Sequence, residues 1–239
     1  MKIAVLLSGG GDSSVAALML KEKGYEVIGI TMTNWADNAA IEAKQAAELL
    51  SIEHMVVDLR GVFTDKVVNH FCYAYERGET PNPCIECNQW IKFGALYDIA
   101  HDAGFSKIAT GHYARIEYDK ISDRYLLKKG ADSSKDQSYF LYRLRQDQLS
   151  QTLFPLGDMK KDDVKEIARK FDIKGSEDES QEICFISGDY REFISGRVVP
   201  TPGEIVDLQG NILGTHRGLP FYTIGQRKGL GISVGHPIY

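Results

Sequence analysis

The chain has 239 residues, 43% of them hydrophobic and 26% charged, a balance that excludes disorder, collagen or coiled coil as its overall description. Lys plus Arg total 28 against 33 Asp plus Glu, so the net charge of −5 argues against a wholly basic coat, although a local basic face would survive the average. No run reaches the roughly 18 apolar residues of a membrane span, and the short apolar N-terminus leads into a glycine turn rather than a cleavage site. A cytoplasmic protein is expected, in which four cysteines act as core fillers, metal ligands or reactive thiols rather than as a disulfide scaffold.

In chain order, Lys2 to Leu7 is an apolar strand ending in Ser8-Gly9-Gly10-Gly11. Ser13 to Lys23 has helical spacing and stops at Gly24, Glu26 to Met32 is a β-branched strand, and Ala39 to Leu50 is helical. A short strand over His54 to Val57 precedes helices over Val62 to Arg77 and Trp90 to Ala103, the latter capped by Gly104. Lys107 to Thr110 is a further strand. This alternation predicts an α/β fold with a doubly wound parallel sheet. Beyond Gly111 a hairpin is expected from Ala114 to Lys129, then an amphipathic helix over Met159 to Lys170. Three short β-prone runs, Glu204 to Asp207, Ile212 to Thr215 and Phe221 to Ile224, mark a small β-rich second domain. The boundary is placed near Gly196, giving a catalytic domain over 1–196 and a β-rich one over 197–239.

The string Ser8 to Ser14 lies between a strand and a helix. Glycines let the backbone turn tightly and an anion approach the amides, and the following helix N-terminus adds unpaired N–H groups. Ser8, Ser13 and Ser14 add hydroxyls, and Asp12 is a candidate Mg²⁺ ligand. It is not a Walker A loop, because no Lys-Ser or Lys-Thr follows. The string resembles the SGGxDSS loop of the N-type ATP pyrophosphatases, which adenylate a carbonyl oxygen and release pyrophosphate.

The second motif is Thr80-Pro81-Asn82-Pro83-Cys84-Ile85-Glu86-Cys87-Asn88, expected as a rigid loop between helices because of its two prolines. Cys84 and Cys87 have C-x-x-C spacing, and Cys184 lies far downstream in Gln181-Glu182-Ile183-Cys184. Zinc would need a fourth ligand, whereas three cysteines match three irons of a [4Fe–4S] cluster. Cys72, beside Phe71 and Tyr73, reads as a core cysteine, and Cys184 has the same bland alternative.

TPNPCIECN, IKFGAL, ATGHYAR, KDQSYFL, QEICFI and YTIGQRKGLGI together resemble the tRNA-specific 2-thiouridylases, the MnmA/TrmU family, in family order over essentially the whole chain. The resemblance implies an adenine nucleotide alpha hydrolase-like, PP-loop fold and ATP-dependent 2-thiolation of the wobble uridine of tRNA, with Mg²⁺ on the triphosphate. It implies Cys87 as nucleophile and Cys184 as the persulfide carrier, which pass through a Cys87–Cys184 disulfide. Because several family members carry Asp at position 84, Cys84 opens the alternative of a [4Fe–4S] cluster on Cys84, Cys87 and Cys184. It further implies ATP contacts at Leu6, Leu7, Ser8, Gly9, Gly10, Gly11, Asp12, Ser13, Met32 and Gly111, and target-base contacts at Asn82, Pro83 and Cys84. For tRNA contacts it points to His112, Lys135, Asp136 and Gln137. Arg227 and Lys228, in a glycine-flanked loop, join these as candidate phosphate contacts, and lysines and arginines such as Arg115, Lys128 and Lys161 could complete a basic face. His112 reads equally as a capping histidine, and Lys135 to Gln137 as a helix N-terminal turn.

The expected partners are a tRNA with a modifiable wobble uridine and a sulfur donor: a cysteine desulfurase, a sulfur carrier or sulfide. Family members continue into a C-terminal β-barrel, and this sequence stops at Tyr239, short of it. The rival readings are another PP-loop adenylating or amidating synthetase, a non-catalytic tRNA-binding protein, and a zinc-stapled domain.

Overall fold

Strand β1, Lys2–Leu6, is buried along almost its whole length, as a strand covered on both faces must be. It is followed by α1 Gly11–Glu22, β2 Glu26–Thr33, α2 Asn38–Leu49, β3 Glu53–Asp58 and α3 Arg60–Phe63. The computed structural model describes residues 1–33, 38–175 and 183–232. Two compact units are formed, Met1–Phe63 with Cys84–Gln181, and Thr64–Pro83 with Glu182–Tyr239.

The first unit is built on a parallel sheet of order β3-β2-β1-β4-β7, where β4 is Lys107–Ala109 and β7 is Thr152–Leu153. Between these come the antiparallel hairpin β5 Ala114–Asp119 with β6 Arg124–Lys129, and β7 is followed by a longer helix, Lys161–Lys170. Ile3, Val5 and Leu7 point to one face and pack on Val15 and Leu18 of α1, Ala43 and Ala47 of α2, and Val164 and Ala168 of the Lys161–Lys170 helix. The period of two along a strand sends Ala4 and Leu6 to the opposite face. From β1 the chain runs outward through β2 and β3, then returns to place β4 on the other side of β1. That reversal makes the carboxyl ends of β1 and β4 the topological switch point, where open α/β sheets bind ligands.

The fold matches the predicted doubly wound sheet, with three local differences. The two-residue strand β7 was not foreseen. The motif from Thr80 to Asn88 is helical from Pro83 onward: α4 is Asn69–Glu76, α5 is Pro83–Glu86, a π-helical stretch covers Cys87–Ala95, and α6 is Leu96–Asp102. Proline is at home in the first helical position, because its missing N–H would have no partner there. The run over Phe221 to Ile224 is not a strand; a 3₁₀ turn occupies Leu219–Phe221. Pro220 cannot donate to a ladder, and Gly218 (φ 128°) and Gly225 (φ 83°) turn the chain on either side.

The second unit has an aromatic centre. Phe71 meets Tyr75 and Phe185 edge-on at 4.9 and 5.6 Å between ring centroids, and Tyr75 stacks on Tyr190 at 4.5 Å. It also holds the antiparallel pair β8 Gly203–Val206 and β9 Ile212–His216, bulged at Ile205/Val206. Further α-helices are α7 Gln146–Gln151 and α8 Lys161–Lys170 in the first unit and α9 Tyr190–Ser195 in the second.

Candidate active site

The loop between β1 and α1 is tied by its own serines. Ser13 Oγ accepts from Ser8 N at 3.1 Å and donates to Gly10 O at 3.0 Å, and Ser14 Oγ donates to the same carbonyl at 3.0 Å. Ser8 Oγ lies 3.1 Å from Ser13 Oγ. The hydroxyls of Ser13 and Ser14, expected as phosphate donors, therefore give their protons to the loop, and Ser14 is fully buried. Their role is to hold the amides in place.

Gly9 has φ 83°, and a Cβ there would lie 2.5 Å from Glu42 Cβ and 2.8 Å from Ala43 N, so only glycine fits. Leu6 and Leu7 put their side chains in the core. Leu7 N–H goes to Ile30 O at 2.9 Å and its carbonyl accepts from Thr31 Oγ1 at 2.6 Å, so both backbone groups of Leu7 are bonded within the fold. Gly11 N–H donates to Gly175 O at 3.4 Å.

Gly111 closes the switch point from the β4 side. A Cβ on it would lie 2.8 Å from both Asp12 C and Ser13 N, so the strand end rests directly on the first peptide of α1. Met32 is half-buried near the end of β2, on the other flank of β1, and the neighbouring residues 34–37 lie outside the described chain. A groove of about 790 Å³ opens beside Gly9 and Gly10, walled by Glu42 and Gln45 of α2 and by Lys174. Neither Met32 nor Gly111 lines it, so it lies on the α2 side of the loop.

Asp12 has partners other than the expected Mg²⁺. Its carboxylate accepts from Lys161 Nζ at 2.7 and 2.8 Å, one bond to each oxygen, and from Tyr113 OH at 2.9 Å. Burial, then the Asp12 charge, push the Tyr113 phenol far up, so it stays a proton donor. Magnesium in nucleotide sites is held by one or two carboxylates plus substrate phosphates. Asp12 Oδ1 accepts from both Lys161 and Tyr113 and Oδ2 from Lys161 alone, so a cation at this carboxylate would share it with the lysine ammonium. No group of three His, Cys, Asp or Glu side chains placed to hold a metal occurs among the described residues.

Cys84 is exposed and Cys87 is buried, one helical turn apart on α5 and the start of the π-helical stretch. The wider π turn is uncommon and is enriched at functional sites. Glu86 between them is buried, paired with Arg143 at 2.6 Å, and accepts from Trp90 Nε1 at 3.1 Å. Asn88 donates to Phe140 O at 3.0 Å, and its Oδ1 is the buried side-chain oxygen without a partner among the described residues. These contacts fix the helix face that carries Cys87. Asn82 and Pro83 belong to the second unit, as does Cys184. Cys184 is exposed, which removes its reading as a core cysteine, while Cys72 is buried and its thiol is pushed up by burial.

His112 is buried, with its ring against those of Phe93 and Phe154 and Nδ1 2.7 Å from Thr110 Oγ1. Burial, then the Lys92 charge, hold it well below the usual histidine range, so it is neutral. It orients the strand end rather than facing solvent. Asp136 accepts from Gly130 N at 2.9 Å and Ser138 Oγ at 2.9 Å; burial would raise its carboxyl, but these bonds lower it. Gln137 bonds Tyr113 through both its backbone and its side chain, at 2.9 and 3.0 Å. Gln137 therefore braces the Gly111–Tyr113 loop, while Asp136 ties the hairpin end at Gly130 to the turn at Ser138. Arg115 meets Asp158 at 3.4 Å and Lys128 meets Glu117, so part of the expected basic face carries its own counter-charges.

In the second unit Gln226 braces the Arg227-Lys228 loop, accepting from Thr223 N at 3.1 Å and donating to Lys228 O at 2.8 Å. Lys228 lines a cavity of about 900 Å³ together with Arg191, His216 and Arg217, three residues that no sequence motif singled out.

A family model described as the tRNA methyl transferase HUP domain matches residues 1–188, and one described as the tRNA methyl transferase PRC-barrel domain matches residues 191–239. The chain is 56% identical over 240 aligned positions to a tRNA-specific 2-thiouridylase MnmA of Syntrophomonas wolfei subsp. wolfei, covering 100% of this chain and 71% of that relative. It is 50% identical to a tRNA-specific 2-thiouridylase MnmA 1 of Caldanaerobacter subterraneus subsp. tengcongensis, with 100% and 71% covered. A tRNA-specific 2-thiouridylase MnmA of Moorella thermoacetica is 49% identical, with 98% and 71% covered.

Proposed function

This chain belongs to the tRNA-specific 2-thiouridylase family, and on that premise we propose that it uses ATP to replace the C2 oxygen of a tRNA wobble uridine by sulfur. The observation that carries the reading is the serine-tied loop at the switch point of the sheet, in a chain so similar throughout to relatives of that name. A uridine oxygen is a poor leaving group. Adenylation makes it part of AMP, and the pyrophosphate released has a ready-made cradle in the first-turn amides of α1. Gly111 brings the β4 end against those amides, where the nucleotide would lie between Met32 and Gly111. Mg²⁺ supplies counter-charge on the triphosphate when bound.

For sulfur transfer, Cys184 carries the terminal sulfur of a persulfide. The Cys87 thiolate attacks the Cys184 sulfur, the S–S bond to the terminal sulfur breaks, and hydrosulfide leaves with the electron pair. Hydrosulfide adds to C2 of the adenylated base and AMP departs, leaving a Cys87–Cys184 disulfide that a cellular thiol reduces. A cysteine desulfurase or a sulfur carrier, itself carrying a persulfide, reloads the Cys184 thiol by passing on its outer sulfur and leaving as a thiol. Asn82, Pro83 and Cys84 meet the base, which must leave the anticodon stack to react. Lys135, Arg227 and Lys228 contact tRNA phosphate. The domain division is 1–196 for adenylation and 197–239 for the β-rich part.

The matching family models are named for tRNA methyl transfer, but methyl transfer needs neither a phosphate loop nor a pair of thiols. A second reading of sulfur delivery rests on the thiol at Cys84, one turn from Cys87. In it, Cys84, Cys87 and Cys184 would hold a [4Fe–4S] cluster, whose open iron would supply a sulfide-binding position. Cys87→Ser and Cys184→Ser should each abolish 2-thiouridine formation while tRNA binding persists; full activity in either variant contradicts both routes. Iron and sulfide analysis of protein purified without oxygen separates the routes, since an iron-free protein that still thiolates excludes the cluster.

A further inference from the structure

The Lys161–Asp12 pair is not an ordinary surface ion pair. Lys161 is 9% exposed, and lysine is almost never buried this far without a specific partner. Its place is fixed from elsewhere in the fold: Asp132 Oδ2 accepts from Lys161 N at 3.0 Å and so holds the start of α8. Its ammonium has three protons. Two go to the Asp12 oxygens at 2.7 and 2.8 Å; the Tyr113 ring centroid lies 5.8 Å from Nζ, and no further oxygen or nitrogen among the described residues takes the third. The Asp12 carboxyl carbon is three bonds from its own backbone N, which belongs to the first turn of α1. The ammonium therefore stands beside the same amides that face the switch-point crevice.

We propose that Lys161 is a pyrophosphate ligand, held by Asp12 so that its third N–H reaches a phosphate oxygen of bound ATP and of the departing pyrophosphate. Asp12 is then a positioning residue, and Tyr113, which donates to Asp12 Oδ1 at 2.9 Å, fixes it in turn. The proposal rests on the reading that this loop binds ATP. It replaces a carboxylate on the metal with a cation on the anion: as the bond to pyrophosphate breaks, charge grows on the leaving oxygens, where a fixed, mostly desolvated ammonium counts most. Asp12 also keeps the lysine from collapsing onto the loop carbonyls while the site is empty.

The test measures binding of pyrophosphate, ATP and AMP to the full chain by calorimetry, with Mg²⁺ present, alongside thermal unfolding. Lys161→Met should weaken pyrophosphate and ATP at least 10-fold and leave AMP within 2-fold, and Lys161→Arg should recover much of the loss. Asp12→Asn should weaken pyrophosphate as well, but should add little in the Lys161→Met background. Equal losses for AMP and pyrophosphate would mean that Lys161 only props the loop and would overturn the proposal, as would no loss at all. If the Asp12→Asn effect keeps its full size in the Lys161→Met background, Asp12 acts on its own and the positioning role fails. A wild-type chain that binds neither ATP nor pyrophosphate refutes instead the underlying assignment of the loop.

Discussion

Gly111 offers the sharpest test of how the site is built, because its neighbours are backbone atoms that no rotamer change can move. Alanine there puts Cβ 2.8 Å from Asp12 C and Ser13 N and 3.0 Å from Asp12 O. Reaching an ordinary contact of 3.4 Å needs the β4 end and the first turn of α1 to part by about 0.6 Å. Overpacking of this kind costs about 1–3 kcal/mol. In a chain of this size each kcal/mol moves Tm by roughly 2–4 °C. The same shift carries the phosphate-facing amides off position, and since a misplacement of about 1 Å can cost roughly 100-fold in rate, kcat/KM for ATP should fall by about 10–100-fold. The control is Gly61→Ala in α3, where no atom lies within 4 Å. Alanine there restricts the unfolded chain and should be neutral or stabilise by up to about 1 kcal/mol. Differential scanning calorimetry and pyrophosphate release measure both. A Gly111→Ala protein with wild-type Tm and wild-type ATP kinetics refutes the close approach.

His112 is neutral in the folded chain and titrates near 6.5 when unfolded, so below about pH 6.5 the unfolded state binds the extra proton. Its contribution is a loss of stability as pH falls from about 6.5 toward its folded value, at up to about 1.4 kcal/mol per pH unit. Urea titrations of wild type and His112→Gln should show that difference in slope; parallel curves would place the ring in water. Glu86→Gln removes the charge facing Arg143, in a pair whose side chains are 8% and 37% exposed. Losing one partner of a fully buried pair costs about 3–5 kcal/mol, and the half-wet arginine reduces this to about 1–3 kcal/mol, read as a shift of the urea midpoint. Alkylation of native reduced protein followed by peptide mass spectrometry should modify Cys84 and Cys184 well before Cys72, which is buried with its thiol pushed up. Equal rates would contradict that burial.

The β1–loop–α1–β2 unit was legible because its signals are local: an apolar run, three glycines, then helical spacing closed by Gly24 at φ 81°. The hairpin from Ala114 to Lys129 was legible for the same reason, with Asp123 at φ 53° in its turn. The cysteine motif was misread as loop because two prolines dominate its appearance, although Pro83 begins a helix rather than ending one. The Lys161–Asp12 pair joins residues 149 apart and carries no periodic or motif signal, so Lys161 looked like any other lysine of α8. His112 could be named but not placed: only the packing of Phe93 and Phe154 decides that its ring is buried. Strand β7, two residues long, is made by pairing with β4 and has no pattern of its own.

The most direct measurement is mass spectrometry of tRNA nucleosides after incubation of the protein with unmodified tRNA, ATP, Mg²⁺ and a sulfur source. The account predicts 2-thiouridine at the wobble position, dependent on ATP and absent in the Cys87→Ser variant. A methylated nucleoside in its place, or 2-thiouridine formed equally without ATP, would contradict it.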